Sequence, residues 1–493
     1  MQPSALAKRV YLVIFIIIIA VYLFGLGQLP LLGPDEPRYA QVAREMLMRG
    51  DLITPTLGGH TWFEKPALLY WMIIAAAKVF GMNEWSARLG PALCGLLTIA
   101  AVGMVGREVE RSAGVEGFGS WSVLVTASCL GLVVFSHAAS FDVVITMTVT
   151  WSLAFFLTHE LATNASRKRW LLVGFYAFVG MSLLAKGLVG IVVPFGVVGF
   201  YYLLRRRWPQ RNVFVSLVWG LPLALAVAAT WYGPVIAKHG WTFINEFFVQ
   251  HHFARYVSNK YKHPQPIWFF PAIILLLALP WTPFLIAALV KVRNWMWRGD
   301  DSLSLVRVFA LAWLLMPIVF FSFSGSKLPG YILPSLPAAA LLVADWIASR
   351  NGRPIPYLAI FAATLLTVLI ALQWVAPKFA ARESVRDLLR LADARGYANV
   401  PVLALRSDDR SAQFYAHDRV VYNDEGEVVP FDEVTVDKAR ALGGKLLVLI
   451  PVEYADHFRN ARGIEVIGDN GKTAILGWVP QKAQEQTQKG TSN

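Results

Sequence analysis

The sequence predicts an α-helical protein that crosses a membrane about eleven times and ends in a small α/β domain. Three observations carry that prediction. Of the 493 residues, 56% are hydrophobic and 16% charged, whereas about a quarter of a soluble domain is charged; mean hydropathy is +0.50. The hydrophobic residues fall into long uncharged runs, and the first, Val10 to Leu29, can already span a bilayer. The net charge of +13 gathers in short segments between those runs, as the positive-inside rule expects, and so does not point to nucleic acid.

Lys8 and Arg9 precede the first run and no small-residue cleavage site follows it, so it reads as a retained anchor with a cytoplasmic N-terminus. Further candidate spans are Arg88 to Val105, Phe118 to His137, Val143 to Leu161, Trp170 to Leu184 and Leu188 to Leu204. Then come Val213 to Val235, Ile267 to Val290, Val308 to Phe323, Leu328 to Ile347 and Ile355 to Val375. Pro66 to Phe80 is apolar but short. If it lies at the interface, Arg107, Arg111, Arg167, Lys168, Arg169, Arg205, Arg206, Arg207, Arg211, Lys291, Arg293, Arg298, Arg350 and Arg353 all share the cytoplasmic side. If it crosses, nearly all of them land outside, so an interfacial helix in the first outer loop is expected. An odd number of spans puts the C-terminus across the membrane from the N-terminus.

The composition changes near Ala376, which suggests a membrane domain over 1–376 and a second domain over 377–493. SVRDLLRLADARG has the spacing of an amphipathic helix. VPVLALRS, GKLLVLIPV and TAILGWV read as strands, and the tail after Gln481 is polar enough to stay disordered. Cys94 and Cys129 lie inside apolar runs and suggest no disulfide framework.

On this topology the polar motifs fall on one side. The densest is LGPDEPRYAQVAREMLMRGDLITPTLGGHTWFEKPALLYW, Leu32 to Trp71. A helix is expected from Ala40 to Met48, with Pro37 at its start and Gly50 as its stop. Asp35, Glu36 and Arg38 follow the first span; Glu64 and Lys65 precede the short apolar run. Charge against lipid is costly unless it has a use. Asp142 opens a span on the same side, where it can hydrogen-bond a sugar, take a proton, or simply cap the helix. Lys186, Arg255 and Lys327 bring further cations, with Tyr331 close behind, a set suited to phosphate oxygens or to lipid headgroups.

DEPRYA, its spacing to GDL, and FEKPALLYW together resemble the bacterial protein-mannosyltransferase-like family of GT-C-type glycosyltransferases, which includes the lipid A aminoarabinose transferases. The resemblance covers most of the membrane part. It implies a polyprenyl-phosphate sugar as donor and an inverting displacement at the anomeric carbon. Asp35 would match the first acid of the family's DE motif and act on the acceptor, and Asp142 would aid the donor sugar. Glu36, Arg38 and Lys186 would line the site. Lys65 from FEKP and Lys327 and Tyr331 from SKLPGY would hold the lipid phosphate, joined by Arg255 of HHFARY. Glu64 and His252 match positions that hold a metal ion in the aminoarabinose transferases, so the resemblance also implies a divalent ion such as zinc. The sugar, with 4-amino-4-deoxy-arabinose one candidate, and the acceptor, whether lipid A, another glycan or protein, are left open.

Two other classes compete. A transporter or flippase of lipid-linked sugars would show paired internal repeats and charges near the midplane; no repeat is visible, and the charges cluster at one face. An assembly or sensor protein working through its C-terminal domain would leave the charged Asp35 segment without purpose. The expected protein is therefore a monomeric multi-pass enzyme of the bacterial inner membrane, with its site and C-terminal domain on the periplasmic side.

Overall fold

The computed structural model describes residues 5–254, 264–350, 354–404, 410–422, 444–458 and 463–479. They pack as two compact units. The first is built from Met1–Phe24, Phe63–Met72 and Arg88–Leu369, the second from Gly25–Trp62, Ile73–Ala87 and Ile370–Asn493.

In chain order the helices are α1 (Ala5–Leu23), α2 (Asp35–Arg49), α3 (Leu68–Phe80), α4 (Glu84–Ala113), α5 (Phe118–Ser128) and α6 (Leu130–Ser136). These are followed by α7 (Phe141–Leu161), α8 (Ala165–Lys186), α9 (Val189–Arg205), α10 (Arg211–Ile244), α11 (Phe269–Leu277) and α12 (Thr282–Val290). Last come α13 (Ser302–Ser322), α14 (Leu336–Ala348), α15 (Ile355–Ile370), α16 (Ala376–Glu383), α17 (Arg386–Ala392) and α18 (Ser411–Tyr415). Among the described residues, 7 helices are long and apolar enough to cross a membrane, or 8 if the bent pair α5–α6 is one span. Three shorter apolar helices are Arg9–Leu23, Leu68–Phe80 and Val189–Arg205. The protein is thus a multi-pass membrane protein. Helix occupies part or all of every apolar run expected to cross, but α1 stops at Leu23 rather than Leu29, and among the described residues fewer helices than the eleven expected are long enough to span. The short run before Phe80 forms the separate helix α3.

Two runs break where the sequence suggested continuous helix. The α5–α6 pair bends by 57° at Cys129, whose backbone is extended (φ −64°, ψ 121°). The run from Ile267 to Val290 splits into α11 and α12. The two breaks satisfy one another. Leu130 N–H donates to the Leu279 carbonyl at 2.8 Å, and Trp281 Nε1 donates to Ser128 Oγ at 2.9 Å. Irregular backbone at membrane depth persists only where protein supplies such partners.

Capping residues set the ends of the central helices. Ser140 caps α7 and Asn164 caps α8, each accepting a backbone N–H from the first turn. Ion pairs tie the basic segments together: Arg167 holds Glu108 through two bonds of 2.9 and 2.7 Å, and Arg205 holds Asp300 at 2.8 Å.

The second unit contains a two-stranded hairpin, β1 (Thr56–Leu57) with β2 (His60–Thr61), and a four-stranded sheet. The sheet strands are β3 (Val402–Ala404), β4 (Leu446–Pro451), β5 (Ile464–Asp469) and β6 (Thr473–Trp478). Their order is β3-β4-β6-β5. β3 and β4 are parallel, and β6 is antiparallel to both neighbours. The α17 helix packs Leu388 and Leu389 into a core with Val402, Leu447, Leu449 and Ile475. The expected small α/β domain is present, with β5 as a strand the sequence pattern did not reveal. The α2 segment, assigned from sequence to 1–376, packs in this second unit.

Candidate active site

In the first unit, three of the predicted site residues meet around the start of α7. The Ser140 hydroxyl accepts the Asp142 N–H at 3.1 Å, so Ser140 is the cap and the Asp142 side chain is not needed for it. Lys186, the last residue of α8, donates its ammonium to Asp142 Oδ1. The same Nζ lies 4.8 Å from the centroid of the Tyr331 ring, within cation–π range. Tyr331 belongs to a 3₁₀ turn, Pro329–Ser335. That turn is pinned by Trp313 Nε1, which donates to the Pro334 carbonyl at 2.7 Å. Gly330 is required by proximity: a Cβ there would stand 1.9 Å from Asp142 Oδ2. The SKLPGY motif thus brings its backbone directly against the acid.

Lys327 is the second residue of the same motif. It is 9% exposed, and its Nζ donates to the Gln265 carbonyl at 2.9 Å. Among the described residues no carboxylate lies within ion-pair distance of it. A buried ammonium without an opposite charge is electrostatically expensive, and an anion would relieve it.

Glu64 and Lys65 form an ion pair of 2.8 Å, both side chains largely buried (12% and 14% exposed). Phe63 before them packs edge-on against His239 (5.0 Å) and Phe243 (5.2 Å). Arg255 lies outside the described residues, and so does the His252 side chain. Among the described residues no three His, Cys, Asp or Glu side chains come together as a metal shell.

In the second unit, Asp35 is exposed in the first turn of α2, where a carboxylate favours the helix N-terminus. Glu36 is buried, and its Oε2 accepts the Leu32 N–H at 2.8 Å, so it closes the turn into α2. The Arg38 guanidinium sits 5.2 Å from the centre of the Trp62 ring. Gly50 ends α2 in the left-handed conformation (φ 65°). Gly50 N–H bonds the Leu47 carbonyl and Asp51 N–H the Met46 carbonyl, the bond pattern that closes a helix with glycine.

Sequence reasoning missed what holds this segment. Arg44 is 7% exposed and donates to Gln41 Oε1 at 2.8 Å and to the Phe414 carbonyl at 2.7 Å. Its guanidinium also stacks 3.9 Å from the centre of the Phe414 ring. Burial pulls the Arg44 pKa down to about 10, which leaves it charged at neutral pH. Tyr415 Oη accepts the Leu31 N–H at 2.7 Å and donates to Glu84 Oε1 at 3.0 Å. Arg386 reaches the same Glu84 oxygen at 3.1 Å. Apart from Gln41, these partners lie hundreds of positions away in the chain, and nothing in the sequence marks them.

Comparison with known proteins adds the following. The family model for dolichyl-phosphate-mannose-protein mannosyltransferase matches residues 8–296. An undecaprenyl phosphate-alpha-4-amino-4-deoxy-L-arabinose arabinosyl transferase of Pseudomonas fluorescens is 30% identical over 342 residues, 68% of this chain and 59% of that protein. Its counterpart in Pseudomonas aeruginosa is 33% identical over 335 residues, 67% of this chain and 58% of that one. The chain therefore matches less than two thirds of these relatives' length. The crystal structure of ArnT from Cupriavidus metallidurans bound to undecaprenyl phosphate superposes with a TM-score of 0.73 at 23% identity, over 95% of this chain and 98% of that one. The apo form of the same protein gives 0.75 at 21% identity. The GT-C-type helical fold with a C-terminal α/β domain is thus shared.

Proposed function

The chain belongs to the dolichyl-phosphate-mannose-protein mannosyltransferase family, and on that premise we propose that it is an integral-membrane glycosyltransferase. It moves a sugar from a polyprenyl-phosphate donor to a lipid A-like, glycan or protein acceptor on the periplasmic face of the inner membrane. The names of its relatives make 4-amino-4-deoxy-L-arabinose the first sugar to try. The observation that carries the proposal is the buried Lys327 ammonium, with a carbonyl and no described carboxylate as partner, at the head of the turn that bears Tyr331 beside Lys186.

In the reaction the acceptor oxygen attacks the anomeric carbon from the face opposite the donor phosphate. The bond from that carbon to the phosphate oxygen breaks, and polyprenyl phosphate departs with the electron pair. Such a leaving group needs charge neutralisation more than protonation. Lys327, Lys65, Arg255 and the Tyr331 hydroxyl supply it in this proposal. Lys186, fixed by Asp142, adds a cation of set direction, and Asp142 orients the donor sugar. Arg38 acts on the substrate in this proposal, and Glu36 holds the turn that bears Asp35. For a hydroxyl acceptor Asp35 takes the proton; an acceptor phosphate is already ionised and is only oriented.

A divalent ion held by Glu64 and His252, zinc first, is a further element of the proposal. The Glu64 carboxylate already holds Lys65, so an ion would have to share or displace that contact, and no step above runs through a metal. Elemental analysis of the purified protein, paired with activity after chelation, checks it; an absence of bound ion with undiminished transfer would remove it.

The full chain is purified and incubated with polyprenyl-phosphate sugars and extracted envelope lipids and glycans. The expected product is an acceptor heavier by one sugar. Lys327→Ala should weaken donor use by about 2–5 kcal/mol, the cost of removing a buried charge contact. No sugar transfer by the wild type from any donor would turn the assignment towards lipid-linked sugar transport.

A further inference from the structure

At one end of the first unit lies a cavity of about 200 Å³ that the proposed reaction does not use. Lys291, Asn294, Arg307, Asp345, Trp346 and Ser349 supply its polar lining. Asp345 is the only acid among them, and Arg307 takes both of its oxygens, through Nε at 2.8 Å and Nη2 at 3.0 Å. The lining that remains is made chiefly of donors: the Lys291 ammonium, the Asn294 amide and the Trp346 indole. Trp346 is 8% exposed, and among the described residues its buried Nε1–H has no hydrogen-bond partner. Buried donors in native proteins almost always find an acceptor. A third cation stands close, since the Arg350 guanidinium covers the Trp346 ring at 3.9 Å.

The surroundings say what kind of acceptor fits. Lys291 follows directly on α12, and Ser349 directly on α14, so the cavity sits where apolar helices end. Trp295 and Trp297 come next in the chain, as aromatic residues do at a membrane boundary. Val290 and Ile355, at neighbouring helix ends, are 72% and 69% exposed, which suits contact with acyl chains. A donor-lined, cation-rimmed cavity beside lipid-facing residues calls for a ligand that is anionic at one end and apolar at the other. Basic pockets between membrane helices commonly hold anionic lipid headgroups.

We propose that this cavity is a binding site for the phosphate of an anionic glycerophospholipid, with Lys291 facing the phosphate and Trp346 Nε1–H donating to one of its acceptor oxygens. The site is separate from the sugar-transfer residues and does not depend on their assignment.

Native mass spectrometry of the full chain, purified in detergent, tests it by titration with dioleoyl phosphatidylglycerol, dioleoyl phosphatidylcholine and inorganic phosphate. Phosphatidylglycerol should bind at the lowest concentration. Lys291→Glu should weaken that binding about fivefold or more, since one basic residue near a lipid surface contributes about that factor. Lys291 is exposed, so this variant keeps its packing. Trp346→Phe keeps an aromatic ring, loses the N–H, and should weaken binding as well. Unchanged phosphatidylglycerol affinity in Lys291→Glu overturns the site even if Trp346→Phe fails to fold. Phosphatidylcholine bound as tightly overturns the preference for an anionic lipid, and inorganic phosphate bound as tightly overturns the lipid as ligand.

Discussion

A carboxylate in the first turn of a helix can serve the helix or the chemistry, and around Asp142 the two tasks fall to different residues. Ser140 accepts the backbone N–H, and Asp142 holds Lys186. Ser140→Ala should therefore cost about 0.5–2 kcal/mol of stability, as a lost cap does, with little change in turnover. If Asp142 works by fixing Lys186, Asp142→Asn and Lys186→Met should each impair transfer, and the double variant should be scarcely worse than either single one. Additive losses in that cycle would instead mean that Asp142 and Lys186 act independently. Asp35→Asn should reduce transfer by a factor of about 10²–10⁴ when the acceptor is a hydroxyl, the usual size of a general-base contribution; full activity would remove Asp35 from that role. Asp35, Glu64, Lys65, Lys327 and Tyr331 stood out as candidates because DEPRYA, FEKP and SKLPGY set polar groups beside apolar runs and resemble a known family's motifs, and Asp142 and Lys186 stood out by their place at span ends. What each touches was not legible. The cap at Ser140, the close approach of Gly330 to Asp142 and the ion pair of Glu64 with Lys65 depend on backbone paths that no spacing rule specifies.

Elements were readable to the extent that local chemistry ends them. Gly50 stops α2, Gly187 follows α8, and apolar runs become helices, since each outcome rests on neighbours within one or two turns. The breaks in α5–α6 and α11–α12 were hidden, because each is tolerated only through partners supplied by the other. The strand β5 was hidden because its one sheet partner among the described residues, β6, sits beyond a turn. The placement of α2 is the larger surprise. Its Arg44 reaches α18 in the same unit, so the C-terminal α/β segment helps to hold the helix that begins at Asp35. Arg44→Ala leaves the Phe414 carbonyl short of a donor and should destabilise this contact by about 1–3 kcal/mol. Hydrogen exchange should then speed up in both Asp35–Arg49 and Ser411–Tyr415. Faster exchange in only one of the two would show that the Arg44 contact does not hold them together.

At the scale of the molecule, composition alone argues for a membrane protein, and the positive-inside rule predicts which way it faces. The structure keeps the basic segments paired among themselves, as with Arg167 on Glu108 and Arg205 and Arg207 on Asp300. The Asp300 carboxyl is held below its ordinary value by its hydrogen bonds from Arg207 and Arg205. A cytoplasmic location for these basic segments then places Glu453, in the C-terminal α/β segment, outside. Both native cysteines are buried, so single exposed cysteines report cleanly. Ser112 and Glu453 are both exposed and lie on opposite sides in this topology. In spheroplasts a membrane-impermeant maleimide should label Glu453→Cys at once and Ser112→Cys only after the membrane is permeabilised. Immediate labelling of Ser112→Cys with protection of Glu453→Cys would invert the orientation. A periplasmic acceptor would then be out of reach for a donor phosphate bound at Lys327.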